Sequence, residues 1–239
     1  MKQPILIIKM GNSFPSIIAD HGDFDDWIKA GLDVDGSAIA VVNVFAGETL
    51  PDPSRLAGVV ITGAHDMVTD RASWSERTAA WIPELIATGT PLLGICYGHQ
   101  LLAHALGGTV GPNPGGGEFG TVELELQDSA TKDRLFSGLP QRFQVQASHF
   151  QSVLSLPPGA VLLATSNQDP HHAFCMANSA WGVQFHPEFG PEILSAYISK
   201  YKDTLVEHEF DPEVLIRSST ETPFGREILR RFGQLLKKG

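Results

Sequence analysis

A cysteine flanked by glycines is the residue of this sequence best placed to act as a nucleophile. Gly94-Ile95-Cys96-Tyr97-Gly98 lies where an apolar run, Leu92–Ile95, meets a helical pattern over Tyr97–Leu106. This is the spacing of the strand–turn–helix motif G-x-S-x-G, with cysteine in the place of serine. So sharp a turn excludes side chains two residues to either side, and the positive end of the following helix favours a thiolate. The pattern predicts that Cys96 is a nucleophile; the alternative is a buried structural cysteine.

A histidine at the end of a strand is a suitable general base for such a thiol. Among nine histidines, His186 follows the apolar run Trp181–Phe185 and precedes Pro187 and Glu188. The carboxylate of Glu188 can accept a hydrogen bond from the imidazole, as the carboxylate of a Ser-His-Asp triad does. His99 is the rival base, but it belongs to the first turn of the helix after the cysteine and has little freedom to approach the thiol. The sequence therefore predicts His186 as the base and Glu188 as its orienting partner.

Two motifs together resemble the class I, or triad type, glutamine amidotransferases. They are Gly-Ile-Cys-Tyr-Gly-His-Gln at 94–100 and Trp-Gly-Val-Gln-Phe-His-Pro-Glu at 181–188. Within the family the chain is similar to the amidotransferase part of GMP synthase and to stand-alone relatives, which share the order Glu118-Phe119-Gly120, then Ser148-His149, then the second motif. The resemblance implies a three-layer α/β fold of the flavodoxin-like kind. It also implies a catalytic triad of a nucleophile, a general base and acid, and an orienting carboxylate: Cys96, His186 and Glu188.

The resemblance also indicates where a substrate binds. The family's oxyanion hole uses two backbone N–H groups, which correspond here to those of Gly63 and Tyr97. Thr62-Gly63-Ala64-His65 differs from the family's Ser-Gly-Gly-Pro-like loop, but a backbone donor needs only the right peptide orientation. In place of the family's Ser-His-Gly-Asp segment the chain has phenylalanine and glutamine at the last two positions. The substrate contacts implied by position are Gln100, Ser148, His149 and Phe150.

The activity implied by the resemblance is hydrolysis of the side-chain amide of glutamine, without a cofactor. A γ-glutamyl thioester on Cys96 would form, and glutamate and ammonia would be released. In the family the ammonia passes to a synthase, and the sequence contains no Ser-Gly-Gly-x-Asp-Ser nucleotide loop. A partner synthase subunit is therefore expected, unless the enzyme works alone. Two alternatives stay open: a hydrolase of γ-glutamyl peptides acting alone, and a non-catalytic regulatory subunit with this fold.

Strands and helices alternate in the first half of the sequence, which predicts a mostly parallel sheet with helices on both faces. Strands are expected at Pro4–Met10, Ala38–Val44, Leu56–Thr62 and Leu92–Ile95, with helices near 24–32, at 73–87 and at 97–106. Ser73-Trp74-Ser75-Glu76 fits a capping box at the start of the second of these helices.

The pattern after Gly108 predicts an antiparallel extension of the same sheet. The expected strands are Thr121–Leu126, Arg142–Gln146, Val153–Leu156, Val161–Thr165 and Ala173–Met176, and Trp181–Phe185 returns to an apolar strand. The polar, acidic stretch Lys202–Glu221 is interpreted as an insertion or lid, and a closing amphipathic helix begins at Thr222-Pro223. No linker divides the chain, so residues 1–239 are expected to form one amidotransferase domain.

The net charge disfavours two classes of partner, and the cysteine content bears on the compartment in which the protein is expected. Seventeen basic and 27 acidic residues give a formal charge of −10, which disfavours nucleic acid and anionic membranes. With two cysteines, no signal peptide and no apolar span, a soluble cytoplasmic protein is expected. His171-His172 is interpreted as a solvated turn and no metal site is expected. Gly111–Gly117 lacks the order of a phosphate-binding loop.

Overall fold

The computed structural model describes residues 3–237, which contain a nine-stranded sheet and a separate two-stranded ribbon. The strands are β1 (Ile5–Lys9), β2 (Ile39–Asn43), β3 (Gly58–Ile61), β4 (Leu92–Ile95), β5 (Thr109–Pro112), β6 (Glu118–Leu126), β7 (Arg142–His149), β8 (Gln151–Ser155), β9 (Val161–Thr165), β10 (Ala173–Met176) and β11 (Ala180–Val183). The α-helices are α1 (Pro15–His21), α2 (Phe24–Leu32), α3 (Ser73–Ala87), α4 (Tyr97–Ala105), α5 (Pro191–Lys200), α6 (Lys202–Glu207), α7 (Pro212–Arg217) and α8 (Pro223–Lys237).

The large sheet joins a parallel half to an antiparallel half. Its strand order is β2-β1-β3-β4-β11-β10-β9-β6-β7. Neighbours are parallel from β2 to β11 and antiparallel from β11 to β7. The expected α/β architecture is thus confirmed. The expected strand Val153–Leu156 is not part of the extension, because β8 pairs instead with β5, a strand that the sequence did not predict.

Helices cover both faces of the parallel half, and β1 shows how the sequence achieves this. Ile5 and Ile7 pack in the hydrophobic core shared with α2 and α8, whereas Leu6 and Ile8 pack in the core shared with α3 and α4. Successive strand residues point to opposite faces. A continuous apolar run such as Ile5–Ile8 is therefore what a strand buried on both faces requires.

The bounds of α3 agree with the prediction, but its predicted capping box does not form. The N-cap residue is Ala72, which makes no side-chain hydrogen bond to the helix. The carboxylate of Glu76 lies 3.3 Å from Arg71 and 3.0 Å from His104 instead. A capping box does form at α2, where the Asp23 and Asp26 side chains cap the helix start reciprocally.

The stretch interpreted as an insertion or lid contains the short helices α6 and α7. Leu205 and Leu215 on these helices belong to an apolar cluster with Phe119 and Phe150. The stretch therefore covers the starts of β6 and β8, and its role as a lid stays a prediction.

The domain assignment over residues 1–239 also stays a prediction, and residues 1–2 and 238–239 lie outside the described part of the chain. Within residues 3–237, no helix is both long and apolar enough to cross a bilayer.

Candidate active site

Three loops that follow neighbouring parallel strands meet at one edge of the sheet. β3, β4 and β11 are adjacent, and Ile61 at the end of β3 pairs with Gly94 near the end of β4. Gly63 lies two residues beyond β3, Cys96 directly after β4, and His186 three residues beyond β11. The carboxyl ends of parallel strands form the usual binding edge of an open α/β sheet. The topology therefore brings these three residues together from distant parts of the sequence.

Cys96 lies on a strained elbow between β4 and α4. Its φ is 49° and its ψ is −98°, a conformation that costs free energy for a residue with a side chain. The neighbouring glycines are required by contact: a Cβ on Gly94 would lie 2.4 Å from the carbonyl oxygen of Gly98, and one on Gly98 would lie 2.5 Å from that of Ile61. The backbone N–H of Cys96 donates to the carbonyl of Val183 at 2.9 Å. The elbow thus holds the thiol at the start of α4.

The imidazole of His186 is hydrogen-bonded to both Cys96 and Glu188. Its Nδ1 lies 2.8 Å from Oε1 of Glu188, and Nδ1 is the donor because a carboxylate only accepts. Burial lowers the pKa of His186, but the negative charges of Glu188 and Cys96 and their hydrogen bonds outweigh burial and raise it to about 10. The ring of Phe189 stacks on the imidazole with centroids 4.0 Å apart. Glu188 and Phe189 therefore fix the orientation of the imidazole, which is protonated at neutral pH.

A glutamine whose role sequence reasoning missed also contacts the thiol. The amide of Gln184 donates to Sγ of Cys96 at 3.5 Å, and its oxygen accepts from Nε2 of Gln100 at 3.0 Å. Nε2 of Gln100 also donates to the carbonyl of Gln151 at 2.7 Å. In extended chain, alternate residues face the same side. The sequence signal that indicates a role for Gln184 is therefore its position two residues before His186.

Gly63 lies beside the thiol and the imidazole. A Cβ on Gly63 would lie 3.0 Å from Cε1 of His186 and 3.8 Å from Cβ of Cys96. The hydroxyl of Thr62 accepts from the N–H of Met10 at 3.0 Å and donates to the carbonyl of Gly63 at 2.8 Å. Threonine in the place of the family's serine therefore fixes this loop against β1.

Tyr97 is the first residue of α4, so its N–H has no partner within the helix. Its hydroxyl donates to Ser75 on α3 at 2.7 Å, which anchors the residue. A cavity of about 40 Å³, with room for a few water molecules, is lined by Cys96 and by Tyr201, whose hydroxyl lies 2.6 Å from Nδ1 of His65. The predicted site residues that line this cavity are Cys96, Tyr97, Gln100, Ser148, His149 and Phe150.

The rival base His99 faces away from this chemistry. It is fully buried, and its ring lies 5.0 Å from that of Phe174. Burial lowers the pKa of His99 to about 3, so the ring is neutral. His99 is therefore a core residue of α4, as its position in the first turn suggested.

A second polar cluster, formed by Glu118, His149 and His172, lies beside the cavity. Oε2 of Glu118 lies 3.2 Å from Nε2 of His149 and 2.8 Å from Nε2 of His172. Burial raises the pKa of Glu118, but the two imidazoles outweigh it and hold that pKa well below its usual range. The interpretation of His171-His172 as a solvated turn is wrong for His172, whose side chain is wholly buried.

Comparison with known proteins gives concordant results. The family model for class-I glutamine amidotransferases matches residues 19–200. A GMP synthase (glutamine-hydrolyzing) of Aeropyrum pernix is 41% identical over 201 residues, which cover 82% of this chain but 36% of that protein. Two solved structures share the fold at 22% identity. A glutamine amidotransferase of Thermotoga maritima has a TM-score of 0.75 and covers 99% of this chain and 100% of its own. A glutamine amidotransferase of Methylobacillus flagellatus has a TM-score of 0.77 and covers 100% and 95%.

Proposed function

The chain belongs to the class-I glutamine amidotransferase family, and on that premise we propose that it hydrolyses the side-chain amide of glutamine. The observation that carries the proposal is the contact between a cysteine on a glycine-flanked elbow and an imidazole held by a buried carboxylate. We assign Cys96 as the nucleophile, His186 as the general acid and base, and Glu188 as the residue that orients His186.

The first half of the proposed reaction forms a thioester. The protonated imidazole of His186 favours the Cys96 thiolate. The thiolate attacks the amide carbon, and the carbonyl oxygen, now negative, accepts hydrogen bonds from the N–H groups of Gly63 and Tyr97. Each such donor is typically worth about 2.7–4 kcal/mol of transition-state stabilisation. The C–N bond then breaks as His186 donates its proton to the nitrogen, so ammonia leaves and a γ-glutamyl thioester remains.

The second half regenerates the enzyme. Neutral His186 takes a proton from a water molecule, whose oxygen attacks the thioester carbonyl. The C–S bond breaks, glutamate leaves, and the thiolate and protonated imidazole are restored. Glu188 keeps Nδ1 protonated throughout, so that Nε2 alone exchanges protons with the substrate and water.

The ammonia is proposed to serve a synthase carried on another polypeptide. The chain spans 36% of the length of the GMP synthase that it resembles. A synthase captured with the tagged chain should raise the rate at which the chain hydrolyses glutamine.

The test compares the two cysteines. Wild-type chain, Cys96→Ala and the matched control Cys175→Ala are incubated with glutamine or a γ-glutamyl peptide, and glutamate is measured. Cys175 is buried, and burial raises the pKa of its thiol to about 12, so it is not a competing nucleophile. We expect glutamate from glutamine with wild type and Cys175→Ala, and none with Cys96→Ala.

Other outcomes select the alternatives. Rapid hydrolysis of the peptide with negligible hydrolysis of glutamine would replace the proposal with a γ-glutamyl peptide hydrolase. A chain that hydrolyses neither substrate, and whose Cys96 is not trapped by a glutamine-like electrophile, would be a non-catalytic regulatory subunit.

A further inference from the structure

Three buried side chains outside the triad direct atoms that can bind a metal ion toward a common point. Glu118 begins β6, His149 ends β7 directly opposite it, and His172 precedes β10. Oε2 of Glu118 and the Nε2 atoms of the two histidines all lie within 4.8 Å of one another. The exposed fractions of these side chains are 5% for Glu118, 1% for His149 and 0% for His172. Two imidazoles and one carboxylate form a common donor set for Zn²⁺.

Hydrogen bonding around the cluster fixes the direction of the lone pairs. Nδ1 of His149 lies 3.0 Å from the carbonyl oxygen of Gln151, and since a carbonyl only accepts, Nδ1 carries the proton. A neutral His149 therefore presents the lone pair of Nε2 to the carboxylate of Glu118, which is also an acceptor. Two facing acceptors require a positive centre between them, which is either a second proton on His149 or a metal ion.

The surroundings of the three residues favour the metal ion. A ligand histidine usually donates its other N–H to a carbonyl or carboxylate, as His149 does here. The second oxygen of Glu118 accepts from the hydroxyl of Ser166 at 2.6 Å, which holds the carboxylate in place. A metal ion between the three side chains accepts a lone pair from each of the three converging atoms.

We propose that Glu118, His149 and His172 bind a divalent transition-metal ion of the Zn²⁺ type. The ion joins the start of β6, the end of β7 and the segment before β10. It thereby fixes Ser148, whose carbonyl oxygen lies 4.0 Å from Sγ of Cys96. The ion has a structural role and takes no part in the thioester chemistry, so the site does not depend on the substrate of the enzyme.

The test measures metal binding directly. A Cys96→Ala chain is used because it lacks the competing thiolate; it is freed of metal with a chelator and titrated with Co²⁺ and with Zn²⁺. We expect one equivalent of Co²⁺ with the visible absorption of a four-coordinate site, in which a water molecule is the fourth ligand, and displacement of Co²⁺ by Zn²⁺. Ser166→Ala in that background should weaken binding by about 10–100-fold, the usual effect of losing a bond to a ligand. His172→Gln should weaken it at least as much.

The matched control is His171→Gln. His171 neighbours His172, but its Nδ1 bonds to the carbonyl of Val153 at 2.7 Å and it is not one of the three ligands. This variant should bind like the Cys96→Ala parent. Absence of stoichiometric Co²⁺ in the parent, or equal binding by the His171 and His172 variants, overturns the proposal and leaves a proton on His149. If His172→Gln does not fold, the titrations of the Cys96→Ala parent and of Ser166→Ala in that background still test the proposal.

Discussion

Replacing Glu188 with glutamine tests whether its charge holds the proton on His186. Oε1 of Glu188 lies 2.8 Å from Nδ1 of His186, and its other oxygen has no partner among the described residues. Glu188→Gln keeps the shape and one acceptor oxygen but removes the negative charge. The variant should therefore retain the orientation of the ring while making its protonated form less stable.

The size of the effect follows from the geometry. A hydrogen bond to a charged partner contributes about 1.5–3 kcal/mol, and one pKa unit corresponds to about 1.4 kcal/mol. His186 in the Glu188→Gln variant should therefore lose its proton about 1–2 pH units earlier than in wild type. In wild type the pKa of His186 is raised to about 10. The two proteins should consequently resemble each other near pH 7 and diverge above about pH 8, so that at pH 10 glutamine hydrolysis by the variant should be about 5–50-fold below that of wild type.

The assay is a histidine NMR titration, which does not depend on the substrate. The His186 signal is identified by its absence from His186→Gln, and its chemical shift is followed from pH 6 to pH 11. Glu192→Gln, which changes an exposed glutamate on α5, is the control and should titrate like wild type. Equal midpoints for wild type and Glu188→Gln would refute the reasoning, because the charge of Glu188 would then not set the pKa of His186.

The same raised pKa predicts how stability depends on pH. The folded protein holds the His186 proton more tightly than the unfolded chain, whose histidines titrate near 6.5. This contribution is therefore fully present below about pH 6.5 and is lost as the pH rises toward 10. Urea unfolding should show the free energy of unfolding falling across that window, and the fall should end at lower pH in Glu188→Gln.

Two further substitutions, Gly98→Ala and Asp133→Asn, test the framework around the site, with Gly36→Ala as a control. Gly98→Ala should lower the free energy of unfolding by about 1–3 kcal/mol or more, because its Cβ would lie 2.5 Å from the carbonyl oxygen of Ile61. Gly36→Ala, with no atom within 4 Å of its Cβ, should change it by less than about 0.5 kcal/mol in the same urea titration. Asp133→Asn should cost about 1–3 kcal/mol, because an amide N–H₂ would replace the carboxylate oxygen that accepts from the buried indole of Trp181 at 2.9 Å; an unchanged midpoint would mean that the indole finds another acceptor.

The parts of the site that sequence alone predicted depend on local geometry. The elbow at Cys96 requires glycines at fixed spacing, because the backbone atoms that exclude a Cβ belong to the adjoining strand and helix. His186 follows a strand of the same parallel sheet, and the carboxyl ends of such strands share an edge. Local sequence patterns therefore predict both residues.

The parts that sequence missed depend on pairing between distant segments. β5 and β8 pair across an intervening hairpin, so no local pattern fixes that ribbon. The burial of His172 depends on Phe185, whose ring stacks on it with centroids 5.9 Å apart, and on Glu118. The predicted capping box at Ser73 failed because Glu76 pairs with side chains outside the helix.

The extended segment from Gln184 to His186 contacts both Cys96 and His172, and it therefore links the triad to the proposed metal site. The backbone N–H of Gln184 donates to the carbonyl of His172 at 2.8 Å. Along the segment, the side chains of Gln184 and His186 contact Cys96, whereas the intervening Phe185 stacks on His172. A displacement of His172 therefore moves the residues that hold the thiol, although none of its own atoms contacts Cys96 among the described hydrogen bonds. Metal removal should accordingly shift the His186 NMR signal in wild type, and metal added at a concentration that saturates wild type but not the weaker-binding His172→Gln should shift that signal less in the variant.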